Sequence, residues 1–316
     1  MRAPAIDSSR VVSVCPSGQV AGSLEAIIGR FSVKVVPHER HRNSYVGMAR
    51  RVDGREPWCA AVMSSTPPFA PSGASERRPG VPTVTVSQMR EVDRLMTDEA
   101  GIALVQMMEN AGRALARVAV NEAGGSARGL RVAVLAGSGG NGGGGLAAAR
   151  RLACWGARVA AWVTRADLHG VPAQQRAAAE ACGVHVLAGP PGEADLDGTQ
   201  VVIDAVLGYS LAGVPRGAAL ALITSVQRAH GRGVPVVSLD VPSGMDPDSG
   251  RAPGAAVTAS HTVTLALPKP GLLTDEGAAR SGALTLADIS VPSWIYSRLG
   301  VDAGELFTTS DLVRLR

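Results

Sequence analysis

A short apolar strand, Arg131-Val-Ala-Val-Leu-Ala136, runs directly into Gly137-Ser-Gly-Gly-Asn-Gly-Gly-Gly-Gly145 and then into helix-forming Leu-Ala-Ala-Ala-Arg. No other segment restricts the fold as much. A glycine run of this density weakens any strand or isolated helix that contains it. Between a buried strand and a helix it marks the first corner of a parallel α/β sheet. Residues 137–142 satisfy GxGxxG, and a helix N-terminus behind such a loop offers free N–H groups and a positive dipole end to a phosphate. A plain tight turn is the alternative. A Walker A loop is excluded, because no Lys-Ser/Thr pair closes the run.

The segments that follow keep the βαβ rhythm. Strands are expected at 157–163, 183–187, 200–206, 234–239, 261–267 and 283–287, and helices at 145–155, 172–182 and 216–230. Two helices should precede the first strand. One is capped by Ser87, with Met89, Val92, Leu95 and Met96 at helical spacing. The other spans about 102–120, with Leu104, Met107, Met108, Ala111, Leu115 and Val118 on one side. The expected architecture is a Rossmann-like three-layer αβα fold with a mostly parallel sheet. Ligands of such sheets bind beyond the carboxyl ends of the strands.

Residues 81–316 are expected to form this domain. Residues 1–80 show no sustained periodicity and read as a disordered leader, a transit peptide, or translation from a start upstream of the real one, with Met63 as a candidate start. Of the 31 basic and 27 acidic residues, 11 and 6 lie in 1–80, so the net charge of +4 belongs to that segment and the remainder is close to neutral. That argues against nucleic acid as a partner, and an aromatic content of 3% removes base-stacking platforms. No apolar stretch reaches the length of a membrane span. Cys15, Cys59, Cys154 and Cys182 form no CxxC pair, which fits a reducing, cytoplasmic setting.

Two more strand ends carry polar residues where burial makes them costly. Asp204 ends Val201-Val-Ile, and Asp240 ends Val236-Val-Ser-Leu just before Val-Pro-Ser243-Gly244. With Asn141 from the glycine loop, one crevice receives Asn141, Asp204, Asp240 and Ser243. Hard oxygen donors of modest charge suit an alkali or alkaline-earth ion and not zinc; equally, the two carboxylates could be an acid/base pair. Lys34 and Lys269 are the only lysines, and Lys269 stands at the end of the sixth of the expected strands, a position open to a substrate-orienting role. No GxSxG elbow or HExxH helix supports hydrolytic chemistry.

Taken as a set, Met107-Met-Glu-Asn-Ala-Gly112, the glycine loop, Asp204–Gly208 and Leu239-Asp-Val-Pro-Ser-Gly244 resemble the YjeF N-terminal domain family, the NAD(P)H-hydrate epimerases, over about residues 84–298. The resemblance implies a usually dimeric enzyme that interconverts the R and S epimers of hydrated NADH and NADPH, and serves a separate dehydratase that uses only the S form. Matched by position, Asn141, Asp204 and Ser243 would hold a potassium ion. Gly140, Asn141, Gly142, Gly143 and Gly144, the segment Gly208, Tyr209, Ser210, Leu211, Ala212, Gly213 and Val214, and Asp240 would contact substrate, with Asp240 as the acid/base group. The family pattern Gly-x-Gly-Asn-Asn-Gly-Gly-Asp-Gly is altered here: Gly140 stands for the first Asn and Gly144 for the Asp. A backbone cradle survives that change, but a carboxylate near the substrate is lost. Two other readings stand beside the epimerase. One is a non-catalytic nucleotide-binding or scaffold module of the same fold. The other is an NAD(P)-dependent dehydrogenase, for which Asp167 would be the loose candidate to hold a ribose hydroxyl.

Overall fold

A computed structural model describes residues 24–28, 31–35, 80–209 and 213–316. The chain divides into two units, 1–70 and 71–316. In the first, strands β1 (Leu24–Ile28) and β2 (Phe31–Val35) pair antiparallel. The rest of the expected leader lies outside the described residues, Gly80 apart.

The second unit begins with α1 (Val86–Asp98) and α2 (Leu104–Glu122). Thr85, not Ser87, caps α1, in a reciprocal capping box with Gln88. Then follow β3 (Arg131–Ala136), α3 (Gly140–Cys154), β4 (Arg158–Val163), α4 (Gly170–Ala181), β5 (His185–Ala188), β6 (Val201–Ala205), α5 (Gly217–Gly231), β7 (Val236–Leu239) and β8 (His261–Leu265). The chain closes with α6 (Asp275–Ser281), β9 (Ala283–Ala287), α7 (Ser293–Arg298) and β10 (Leu312–Arg314).

One eight-stranded sheet has the order β10-β9-β8-β7-β6-β3-β4-β5, parallel except for β10. The period of two along β3 splits the core between two layers. Val132, Val134 and Ala136 face a cluster shared with α1–α3, whereas Ala133 and Leu135 face Leu222, Ile223 and Val226 of α5. The sheet grows from β3 through β4 to β5 and then returns to the other side of β3 at β6. That reversal opens a crevice beyond the carboxyl ends of β3 and β6.

Two further local expectations need correction. The glycine loop is shorter than its sequence implies, because α3 starts at Gly140, inside the run. Leu104 is 39% exposed rather than core, although Met107, Met108, Ala111, Leu115 and Val118 are buried as expected. Cys154 and Cys182, 28 positions apart in sequence (182 minus 154), meet at the C-terminal ends of α3 and α4. A hydrogen bond between the two thiols is the main cause that holds the Cys182 thiol above its usual range. Among the described residues, no helix is long and apolar enough to cross a membrane.

Candidate active site

Close approach accounts for most of the glycines. A Cβ on Gly137 would lie 2.1 Å from the Val206 carbonyl oxygen, and one on Gly142 would lie 1.9 Å from that of Gly137. On Gly145 it would meet the Ala205 Cβ at 2.5 Å, and on Gly143 the Met108 Sδ at 2.5 Å. From the facing helix, Gly112 would meet the Ala147 Cβ at 2.6 Å. The run therefore seats α3 against β6 and α2. Gly140 differs, because only the Met108 Cε stands within 4 Å, at 3.9 Å. Gly142→Ala should cost about 3 kcal/mol or more, since backbone cannot yield as a side chain does. Gly140→Asn should leave stability within about 0.5 kcal/mol. Thermal denaturation of the two variants in parallel checks the contrast.

Where α1, α2, α3 and the ends of β6, β7 and β8 meet, a cavity of about 270 Å³ opens. Its apolar wall includes Met89, Leu104, Met107, Met108, Leu239 and Ile289. Its polar groups are Asn141, Tyr209, Asp93, Asp240 and Lys269. Of the positions expected to touch substrate, Gly140, Asn141, Gly144, Gly208, Tyr209 and Asp240 line this cavity. Gly142 and Gly143 lie behind its wall, locked into helix packing. Gly213 and Val214 are off the wall, with Val214 44% exposed. Ser210, Leu211 and Ala212 lie outside the described residues. The space a side chain at Gly144 would take is filled by Leu239, whose Cδ2 would be 2.8 Å from a Cβ there.

Asp240 is buried and adopts φ +67°, a left-handed conformation that non-glycine residues keep only where their surroundings enforce it. Its N–H donates to the Val263 carbonyl at 2.7 Å. Its Oδ1 accepts from the Leu265 N–H at 3.2 Å and forms an ion pair with the Lys269 Nζ. Lys269 has no exposed surface; its Nζ also donates to the Leu265 carbonyl at 3.1 Å and stands 5.9 Å from the centre of the Tyr209 ring. The lysine that the sequence places at a strand end, open to a substrate-orienting role, is thus the largest fully buried side chain described.

Asp204 is also fully buried, one step back from the cavity wall. Its Oδ1 accepts from Ser243 Oγ at 2.6 Å and the Val206 N–H at 3.3 Å; its Oδ2 accepts from Ser238 Oγ at 2.8 Å and the Ser243 N–H at 2.9 Å. Ser243 Oγ in turn accepts from the Leu207 N–H at 2.8 Å. None of these partners is basic. Burial pushes the Asp204 carboxyl above its usual range, against the four hydrogen bonds that favour the ionised form. Asn141 reaches the same segment by its contact with Gly208, where a Cβ would lie 3.2 Å from its Oδ1, and its buried Nδ2 has no partner among the described residues. The Asp204 carboxylate with no basic partner, the Asn141 side-chain carbonyl and the Ser243 hydroxyl make an oxygen donor set of the kind that suits a weakly charged monovalent ion.

The Met107–Gly112 run divides its labour. Met107, Met108 and Ala111 form cavity wall. Glu109 binds Arg150 at 2.5 Å, Arg151 at 2.6 Å and Gln175 at 3.0 Å. Burial raises the Glu109 carboxyl, but these donors together hold it below its usual range. Asp167 is exposed and paired with Arg165 at 2.5 Å, away from the cavity. The sequence reading missed Asp93, although its position carried a signal: four residues after Met89 and three before Met96, it sits on the apolar side of α1.

The fold and the cavity define a Rossmann-like α/β protein whose crevice holds a lysine-paired carboxylate. Residues 104–271 match the family described as YjeF-related protein N-terminus. The chain is 43% identical to the NAD(P)H-hydrate epimerase of Dehalogenimonas lykanthroporepellens over 73% of its own length and 92% of that protein. It is 38% identical to the NAD(P)H-hydrate epimerase of Truepera radiovictrix, over 69% and 94% of the two chains. It spans only 40% of the bifunctional NAD(P)H-hydrate repair enzyme of Moorella thermoacetica, at 33% identity. The crystal structure of yeast ynu0, YNL200c, shares the fold with a TM-score of 0.64 and 24% identity, over 74% of this chain and 100% of that one. The chain belongs to the YjeF N-terminal family.

Proposed function

We propose that the chain epimerises the R and S forms of hydrated NADH and NADPH, an isomerase activity in nicotinamide nucleotide repair. The buried Asp240–Lys269 pair at the cavity wall carries this reading, together with relatives whose names state that activity. The hydrate bears a hydroxyl at C6, next to the ring nitrogen. As the C–O bond breaks, the nitrogen lone pair stabilises the cation, and return of water to either face gives either epimer. Asp240, as a carboxylate, stabilises that cation and takes the proton of the returning water. Lys269 fixes the carboxylate, and the methionine-rich wall excludes bulk water.

Asn141, Asp204 and Ser243 would hold potassium, supported by the oxygen donors and uncompensated charge described above. When bound, that ion would supply a fixed positive charge that offsets the Asp204 carboxylate. The family resemblance supports a homodimer and a separate dehydratase as functional partner, and the exposed thiols of Cys154 and Cys182 suit the cytoplasm. A non-catalytic module of the same fold is the second reading, favoured by Gly144, where a family carboxylate is missing. Turnover separates the two: the module binds hydrated NADPH without changing the R to S ratio faster than the spontaneous rate.

A further inference from the structure

Epimerisation through a cation needs a proton donor for the departing hydroxyl as well as an acceptor for the returning water. Asp240, committed to the Lys269 ammonium, suits the acceptor. A second carboxyl group lines the cavity: Asp93, delivered by α1 instead of a strand end. Asp93 Oδ2 is hydrogen-bonded to the Tyr209 hydroxyl, and the Tyr209 ring lies against the Lys269 ammonium. The geometry points to Asp93, hydrogen-bonded to Tyr209, as the acid that protonates the departing C6 hydroxyl, opposite in role to Asp240. This rests on the epimerase reading.

The step balances. The Asp93 proton goes to the C6 oxygen, the C–O pair leaves with that oxygen as water, and the nitrogen lone pair forms the C=N bond. Water then adds to C6 and gives its proton to Asp240; exchange with solvent after product release restores both groups. The environments of the two carboxyl groups support the division. Burial is the main cause that raises Asp93, with the Asp240 charge adding to it, while Tyr209 and Lys269 act in the other direction. Arg90, one turn earlier on α1, acts on Tyr209. Arg298 of α7 is engaged by Glu99.

The test uses the full-length chain, its Asp93→Asn and Tyr209→Phe variants, and the R epimer of hydrated NADPH. Asp93→Asn should lower kcat about 100-fold or more with little change in KM, and remove the alkaline limb of the pH–rate profile. Tyr209→Phe removes a hydrogen bond that favours ionised Asp93, so that limb should move to higher pH. Infrared spectra at neutral pH should show a protonated carboxyl band that Asp93→Asn deletes, whether or not the protein turns over. An unchanged rate and pH profile in Asp93→Asn would overturn the assignment, as would the absence of that band. Wild-type protein that shows the band but no turnover refutes the epimerase reading instead.

Discussion

Asp240→Asn should reduce epimerisation to the spontaneous rate, a loss of at least about 100-fold, and should also lower thermal stability. Asparagine tolerates the left-handed backbone at this position, so the change removes charge and leaves the chain path intact. The stability loss follows from Lys269, which has no exposed surface and would keep its ammonium without a counter-charge. Removing one partner of such a pair typically costs about 3–5 kcal/mol. In a domain of this size that corresponds to a fall in Tm of roughly 6–20 °C. Adding Lys269→Met separates the two effects. The double variant should recover much of the Tm, because an apolar side chain of similar length fills the same space, while activity stays at background. Calorimetry and a chromatographic epimer assay on both variants check this; recovery of activity along with stability would contradict a chemical role for Asp240.

Potassium should raise Tm, and raise it more at neutral pH than in acid. The sign follows from Asp204. Its folded-state pKa lies above the unfolded value because burial penalises the charge. The native state therefore holds the proton more tightly, and stability from this group is present in acid and lost as pH rises through the raised pKa. A cation beside the ionised carboxylate reverses that loss. Comparing potassium and choline chloride at equal ionic strength should show no difference at low pH and a growing potassium advantage towards neutrality. Asp204→Asn should abolish the advantage and bring both salts to one Tm. Equal melting in the two salts at every pH would remove potassium from Asp204.

The features legible in the sequence were those governed by local chemistry. Short continuous apolar runs in a βαβ rhythm placed seven parallel strands, and the glycine corner and the Asp204 and Asp240 strand ends located the crevice. Thr85 was hidden because Ser87, two residues on, is an equally good capping residue. The true start of α3 was hidden because glycine has low helix propensity, and only its packing against β6 and α2 favours the helix there. Strand β10 is three residues long and antiparallel, too short for any periodicity to register. Asp93 and Lys269 are charged residues that tertiary folding brings to one cavity wall, a placement no spacing encodes. Cys154 and Cys182 come together for the same reason.

The most direct measurement incubates the full-length chain with the pure R epimer of hydrated NADPH in potassium buffer and follows the S epimer by chromatography, with Asp240→Asn as control. Conversion well above the spontaneous rate, abolished by the substitution, is the predicted result. Conversion at the spontaneous rate by folded wild-type protein would contradict the account and leave a binding module in its place.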